Sequence, residues 1–182
     1  LCLTTLYGFN SLELTSAHPC RPFDAGRDGI SIGEGAAFAL LERAPATPDP
    51  GSILLLGVGE SSDAYHMSSP RPDGLGARLA MEGALAAGGV APTAVDYINL
   101  HGTATPSNDA AEGNAVAALF GRHVACSSTK GATGHALGAA GGIEAVITAL
   151  SLRHGFVPAG VNTRCVDAAI AIDYVLENRA QP

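Results

Sequence analysis

The chain has 182 residues, 47% of them hydrophobic and 15% charged, which is the size of one domain with enough apolar material for a real core. A formal charge of -7 without any Lys/Arg cluster argues against nucleic-acid binding, because phosphate contact needs concentrated basic residues. No apolar run approaches the roughly 20 residues needed to cross a bilayer, and Cys2, Cys20, Cys126 and Cys165 have no CxxC spacing and follow no signal peptide, so a reduced cytoplasmic setting is expected.

Residues 1–16 read as an amphipathic helix, without an initiator methionine. A turn-rich connection covers 18–29, and 30–43 reads as a largely buried strand weakened by Gly33 and Gly35, where close backbone approach is expected. The proline-rich stretch 45–51 is the best boundary and divides 1–44 from 52–182. A second strand is expected over 53–59, an ordered loop over 61–74, and a helix over 75–87 that stops at Gly88-Gly89.

From there one pattern occurs twice. Strand 97–100 leads through HGTATPSN to a helix over 109–120, where Asp109 and Glu112 have capping-box spacing. Strand 123–127 leads through STKGATGHALG to a helix over 139–153, stopped by His154-Gly155. Two strand-loop-helix units imply parallel strands with right-handed crossovers, and in such sheets ligands bind off the carboxyl ends of the strands. The closing stretch 169–182 reads as one strand and a polar stop; a strand needs neighbours, so a piece of a longer protein is expected.

Both loops open on one edge, and that edge carries His101, His135 and Lys130, the single lysine of the chain. Two imidazoles and an ammonium supply hydrogen-bond donors with no local nucleophile, a set suited to a thioester oxygen, an enolate or a carboxylate. Hydrogen-bonded structural histidines are the bland competitor, and a pure binding module stays open. A phosphate loop fits poorly because Lys130 precedes its glycines, a zinc site from His101, His135 and Cys126 lacks ligand spacing, and GESSD lacks the closing glycine of a hydrolase elbow. Ser127, Ser128 and Thr129 are expected to shape the loop.

HGTATPSND (101–109) and KGATGHALGAAGGIE (130–144) resemble the two C-terminal signatures of β-ketoacyl-acyl carrier protein synthases, condensing enzymes of the thiolase superfamily. CRPFDAGRDGISIGEGAAFALLE (20–42) and SSDAYHMSSP (61–70) resemble the segments that precede them, in the same order. The resemblance implies an α/β thiolase-like fold, mainly its C-terminal half, a mixed sheet with βα units covered by helices. Residues 1–44 would end the N-terminal half, and 52–182 would form a C-terminal half cut before its last strands.

It implies decarboxylating Claisen condensation of an acyl thioester with malonyl-acyl carrier protein, giving a 3-oxoacyl-acyl carrier protein in fatty acid biosynthesis. The alternatives are a condensing enzyme of polyketide or polyene metabolism, or a non-catalytic fragment or partner subunit. By the same resemblance His101 and His135 polarise the malonyl thioester, Lys130 organises them with Glu144 as its partner, and Thr103 and Thr105 bind the pantetheine arm. No metal or cofactor is implied, since the substrates ride on the phosphopantetheine of acyl carrier protein. The implied partners are that carrier and a second subunit, in a homodimer or related heterodimer. The family's nucleophilic cysteine, on a buried helix, would lie upstream of Leu1, so these residues alone are expected to be inactive.

Overall fold

Three short parallel strands organise the chain, which the computed structural model describes over residues 1–181. Strand β1 (Tyr97–Asn99) pairs in parallel with β2 (Ala125–Ser127), Ile98 opposite Cys126, and β2 pairs in parallel with β4 (Asp173–Tyr174). Strand β3 (Phe156–Val157) pairs antiparallel with β5 (Arg179–Ala180) in a separate two-stranded sheet, so parallel and antiparallel pairing both occur but are divided between two sheets.

Helices α1 (Leu3–Ser11), α2 (Leu75–Gly88), α3 (Pro106–Phe120) and α5 (Ala140–His154) fall close to their expected places, with the one-turn α4 (Lys130–Thr133) in addition. α2 stops at Gly89 in a left-handed conformation, where the Val90 amide bonds back to Leu85 O at 3.0 Å. α3 begins three residues before the expected 109, because Pro106 suits a first helical position and Thr105 is already extended as its cap residue. Asp109 and Glu112 therefore form no capping box, and both carboxylates reach outside the helix.

The core joins the two sides of the proline-rich stretch. Phe23, with Leu100, Val116, Val124, Cys126, Ile170, Ile172 and Tyr174, forms the main buried cluster, and the Phe23 and Tyr174 rings lie 5.2 Å apart. Burying one such side chain stabilises by about 1.5–3 kcal/mol. Phe23 has φ 61, a strained value for a bulky residue. Buried Asp109 accepts its amide at 2.8 Å and Asp167 N donates to its carbonyl at 2.9 Å, which hold it there.

Three expected elements differ. Residues 30–43 form no strand beyond isolated bridges of Ile30 to Thr15 and Ile32 to His135, and 53–59 form none. Their apolar composition favours strands, but a strand needs a partner backbone, and among the described residues neither segment has a ladder. Phe38, Leu40 and Leu55 are instead 93%, 86% and 65% exposed. The closing stretch yields β4 and β5 rather than one strand, joined by Arg179 to Asp173 at 2.7 and 3.1 Å. Pro182, its last residue, lies outside the described residues. The 128–138 loop holds α4 and a 3-10 turn at Leu137–Ala139.

Candidate active site

The two histidines are delivered by the two strand ends. β1 continues through buried Leu100, whose amide bonds to Ser127 O at 2.8 Å, and the next residue is His101. β2 ends at Ser127, and after Ser128 and Thr129 α4 starts with Lys130, only 1% exposed. Gly134 closes this turn on Lys130 O at 2.8 Å and His135 follows. Ser128 Oγ donates to Gly102 O at 2.9 Å and ties the two loops together. The imidazoles meet edge to face with centroids 5.0 Å apart.

Lys130 Nζ spends its three donors inside the site. It contacts His101 Nδ1 at 3.2 Å, His101 O at 2.5 Å and the Glu144 carboxylate, which α5 supplies. An ammonium can only donate, so His101 Nδ1 accepts and its proton sits on Nε2. The Leu137 amide donates to His135 Nδ1 at 3.2 Å, which assigns the same tautomer to His135. Both rings then carry Nε2–H as their free donor.

Burial, then the Lys130 charge, then His135 push the His101 pKa down to about 4. His101 as a residue remains exposed, and water at that surface screens the two charges, so the direction is what matters. Burial and Lys130 lower His135 as well. Both imidazoles are therefore neutral near pH 7. Burial raises the Glu144 carboxyl and outweighs the opposing pull of Lys130. Two neutral N–H donors this close can share one oxygen that gains negative charge, and burial makes each bond count for more than in water.

Two carboxylates that the sequence reading treated as a helix cap serve the site. Glu112 accepts the His101 amide at 2.7 Å and the Gly102 amide at 2.8 Å, and burial raises its pKa to about 7 against those bonds. Asp109 accepts the Ala104 amide at 3.2 Å and so holds a residue with φ 67 between the two threonines. Their i, i+3 spacing behind the HG loop was the available signal. Thr103 and Thr105 are buried and their hydroxyls bond to each other at 2.9 Å.

Among the described residues, the hydroxyl and thiol groups closest in sequence to the two loops are bonded or buried. Ser127 Oγ bonds to the Tyr97 hydroxyl at 2.8 Å, and burial pushes the Cys126 thiol up to about 12. Buried Cys20 donates to Lys130 O at 3.2 Å. Cys2 caps exposed α1, and a hydrogen bond from Thr5 lowers its thiol. Among the described residues no three His, Cys, Asp or Glu side chains are grouped to hold a metal ion.

Solved structures similar to this chain include ketosynthases. The ketosynthase ApeO in complex with its chain length factor ApeC from Xenorhabdus doucetiae is 42% identical with a TM-score of 0.84, covering 100% of this chain and 45% of that one. The ishigamide ketosynthase/chain length factor is 30% identical with a TM-score of 0.86, covering 100% and 46%. The fold is thus the thiolase-like α/β fold in part. Residues 53–164 match the beta-ketoacyl synthase C-terminal domain and residues 1–46 the N-terminal domain, and the chain belongs to the beta-ketoacyl synthase family.

Among curated relatives, the mitochondrial 3-oxoacyl-[acyl-carrier-protein] synthase of Arabidopsis thaliana is 44% identical over 155 residues, 81% of this chain and 34% of that protein. The 3-oxoacyl-[acyl-carrier-protein] synthase 2 of Synechocystis sp. is 42% identical over 164 residues, 87% of this chain and 39% of that protein. The chain therefore spans well under half the length of the relatives it matches.

Proposed function

We propose that the protein carrying this chain condenses an acyl thioester with malonyl-acyl carrier protein, with loss of carbon dioxide, to give a 3-oxoacyl-acyl carrier protein for fatty acid biosynthesis. The observation that carries the reading is the pair of neutral imidazoles 5.0 Å apart. The acyl group is first transferred to a cysteine outside these residues. The Nε2–H groups of His101 and His135 then hold the malonyl thioester oxygen. As the bond to the carboxylate carbon breaks, its electron pair moves toward that oxygen, carbon dioxide leaves, and the enolate carbon attacks the acyl carbonyl and expels the cysteine thiolate. Prealigned donors lower the barrier because they need no reorganisation as charge builds.

Lys130 keeps the His101 proton on Nε2, Glu144 balances the buried ammonium, and Thr103 and Thr105 bind the pantetheine arm through the lone pairs and protons their mutual bond leaves free. The substrates arrive on acyl carrier protein, no cofactor or metal takes part, and the protein works in the cytoplasm as a homodimer or with a related subunit. Residues 1–44 belong to the N-terminal half and 52–182 to the C-terminal half, a division supported by matches that break between 46 and 53. The 182 residues alone are inactive. Supporting this, the four cysteines are either buried in the core or loop packing or exposed away from the imidazoles' hydrogen bonds.

A second reading is iterative condensation in polyketide or polyene metabolism beside a chain-length partner, supported by similarity to two ketosynthases solved with chain length factors. Incubating the protein at its natural length with acyl- and malonyl-carrier protein tests both. A saturating single 3-oxoacyl product supports the first, a poly-oxo or polyene chain formed only with a partner subunit supports the second, and no carbon–carbon bond contradicts both.

A further inference from the structure

Residues 31–33 run beside the His135 turn, and the chemistry above leaves them without a task. The His135 amide donates to Ser31 O at 2.7 Å, and the Gly33 amide donates to His135 O at 3.1 Å, a parallel bridge centred on Ile32. Both main-chain groups of His135 are thereby fixed by this one segment. The approach is closer than a side chain allows. A Cβ on Gly33 would lie 2.1 Å from Thr133 O and 3.0 Å from Gly134 Cα. A Cβ on Gly134, whose φ is +66, would lie 2.8 Å from Gly33 Cα.

These obstacles are backbone atoms, of the turn between Lys130 and His135 on one side and of Gly33 on the other, so they cannot swing aside as a side chain would. Gly35, two residues on, gives the contrast: its Cβ would meet Ile143 Cδ1 at 2.7 Å, the movable tip of a side chain.

We infer that Gly33 is a positioning residue for His135: by carrying no side chain it lets residues 31–33 set the backbone of His135, and with it the direction of the Nε2–H. The inference rests on the condensing function proposed above. A methyl at 33 displaces Thr133 to His135 as a unit, moving one of two donors off the shared oxygen, while acyl loading, which depends on the cysteine thiolate rather than on these donors, continues. A misplacement near 1 Å at a reacting geometry costs about 100-fold in rate.

The test compares wild type, Gly33→Ala, Gly134→Ala and Gly35→Ala in the protein at its natural length. Four quantities are read: acyl loading, carbon dioxide release from malonyl-carrier protein, the His135 imidazole titration by NMR, and thermal melting. Gly33→Ala and Gly134→Ala are expected to load normally, to release carbon dioxide about 100-fold more slowly, and to shift the His135 titration. Gly35→Ala is expected to match wild type throughout. Normal decarboxylation with an unmoved titration in Gly33→Ala overturns the inference. Loss of loading and of cooperative melting in both Gly33→Ala and Gly134→Ala overturns it too, since the contact would then hold the fold and not the imidazole. If wild type itself releases no carbon dioxide, the proposed function fails, and the imidazole titration still decides whether Gly33 places His135.

Discussion

Lys130 Nζ lies 3.2 Å from His101 Nδ1 and fixes which nitrogen of that ring carries its proton. An ammonium has no lone pair to offer, so the ring must accept on Nδ1 and donate from Nε2. Lys130→Met removes both the donor and the charge that disfavours the imidazolium. The His101 titration in an NMR series should move upward toward its ordinary range, and carbon dioxide release should fall. An unmoved titration would mean that Lys130 serves Glu144 alone.

The same depression sets a pH dependence of stability. The folded His101 pKa, near 4, lies below its ordinary value of 6.5, and His135 shifts the same way, so the fold prefers both rings neutral. Their contribution is complete above the ordinary value and is lost as pH falls from about 6.5 toward about 4. Between about pH 6.5 and about 4, wild type should lose stability with falling pH relative to His101→Asn, read as a pH-dependent gap between their melting curves. Parallel curves over that window would contradict the assignment.

The Cys2 thiol is lowered chiefly by its hydrogen bond with the Thr5 hydroxyl, yet α1 has no buried residue and among the described residues Cys2 bonds within its own first helical turns. A nucleophile for acyl transfer needs a site from which water is excluded. Cys2→Ala should leave acyl loading unchanged, measured with a radiolabelled acyl donor. Loss of loading would make Cys2 the nucleophile.

Thr103 and Thr105 would touch the pantetheine arm in ground and transition states alike, so Thr103→Ala should raise KM for carrier-bound substrate with little change in kcat. Steady-state kinetics decides it. A fall in kcat at constant KM would place Thr103 in the chemistry instead.

The helices and the site were readable where local chemistry decides. Capping glycines ended α2 and α5 within a residue, and two successive strand-loop-helix units brought His101 and His135 to one edge. The strands expected over 30–43 and 53–59 were misread because pairing depends on a partner backbone that composition does not reveal. Glu112 was misplaced for a related reason. Its spacing from Asp109 fits a capping box, and only the fold shows the His101 and Gly102 amides competing for it. The contact between Gly33 and the His135 turn spans about a hundred positions, and the sequence marks it only as a glycine in an apolar run.

The most direct test of the imidazole pair is His135→Ala, with acyl loading and carbon dioxide release from malonyl-carrier protein measured side by side. Losing one of two donors to a developing oxyanion should slow decarboxylation about 100- to 1000-fold while loading continues at a measurable rate. A variant that lost loading but kept decarboxylation would contradict the role of this pair.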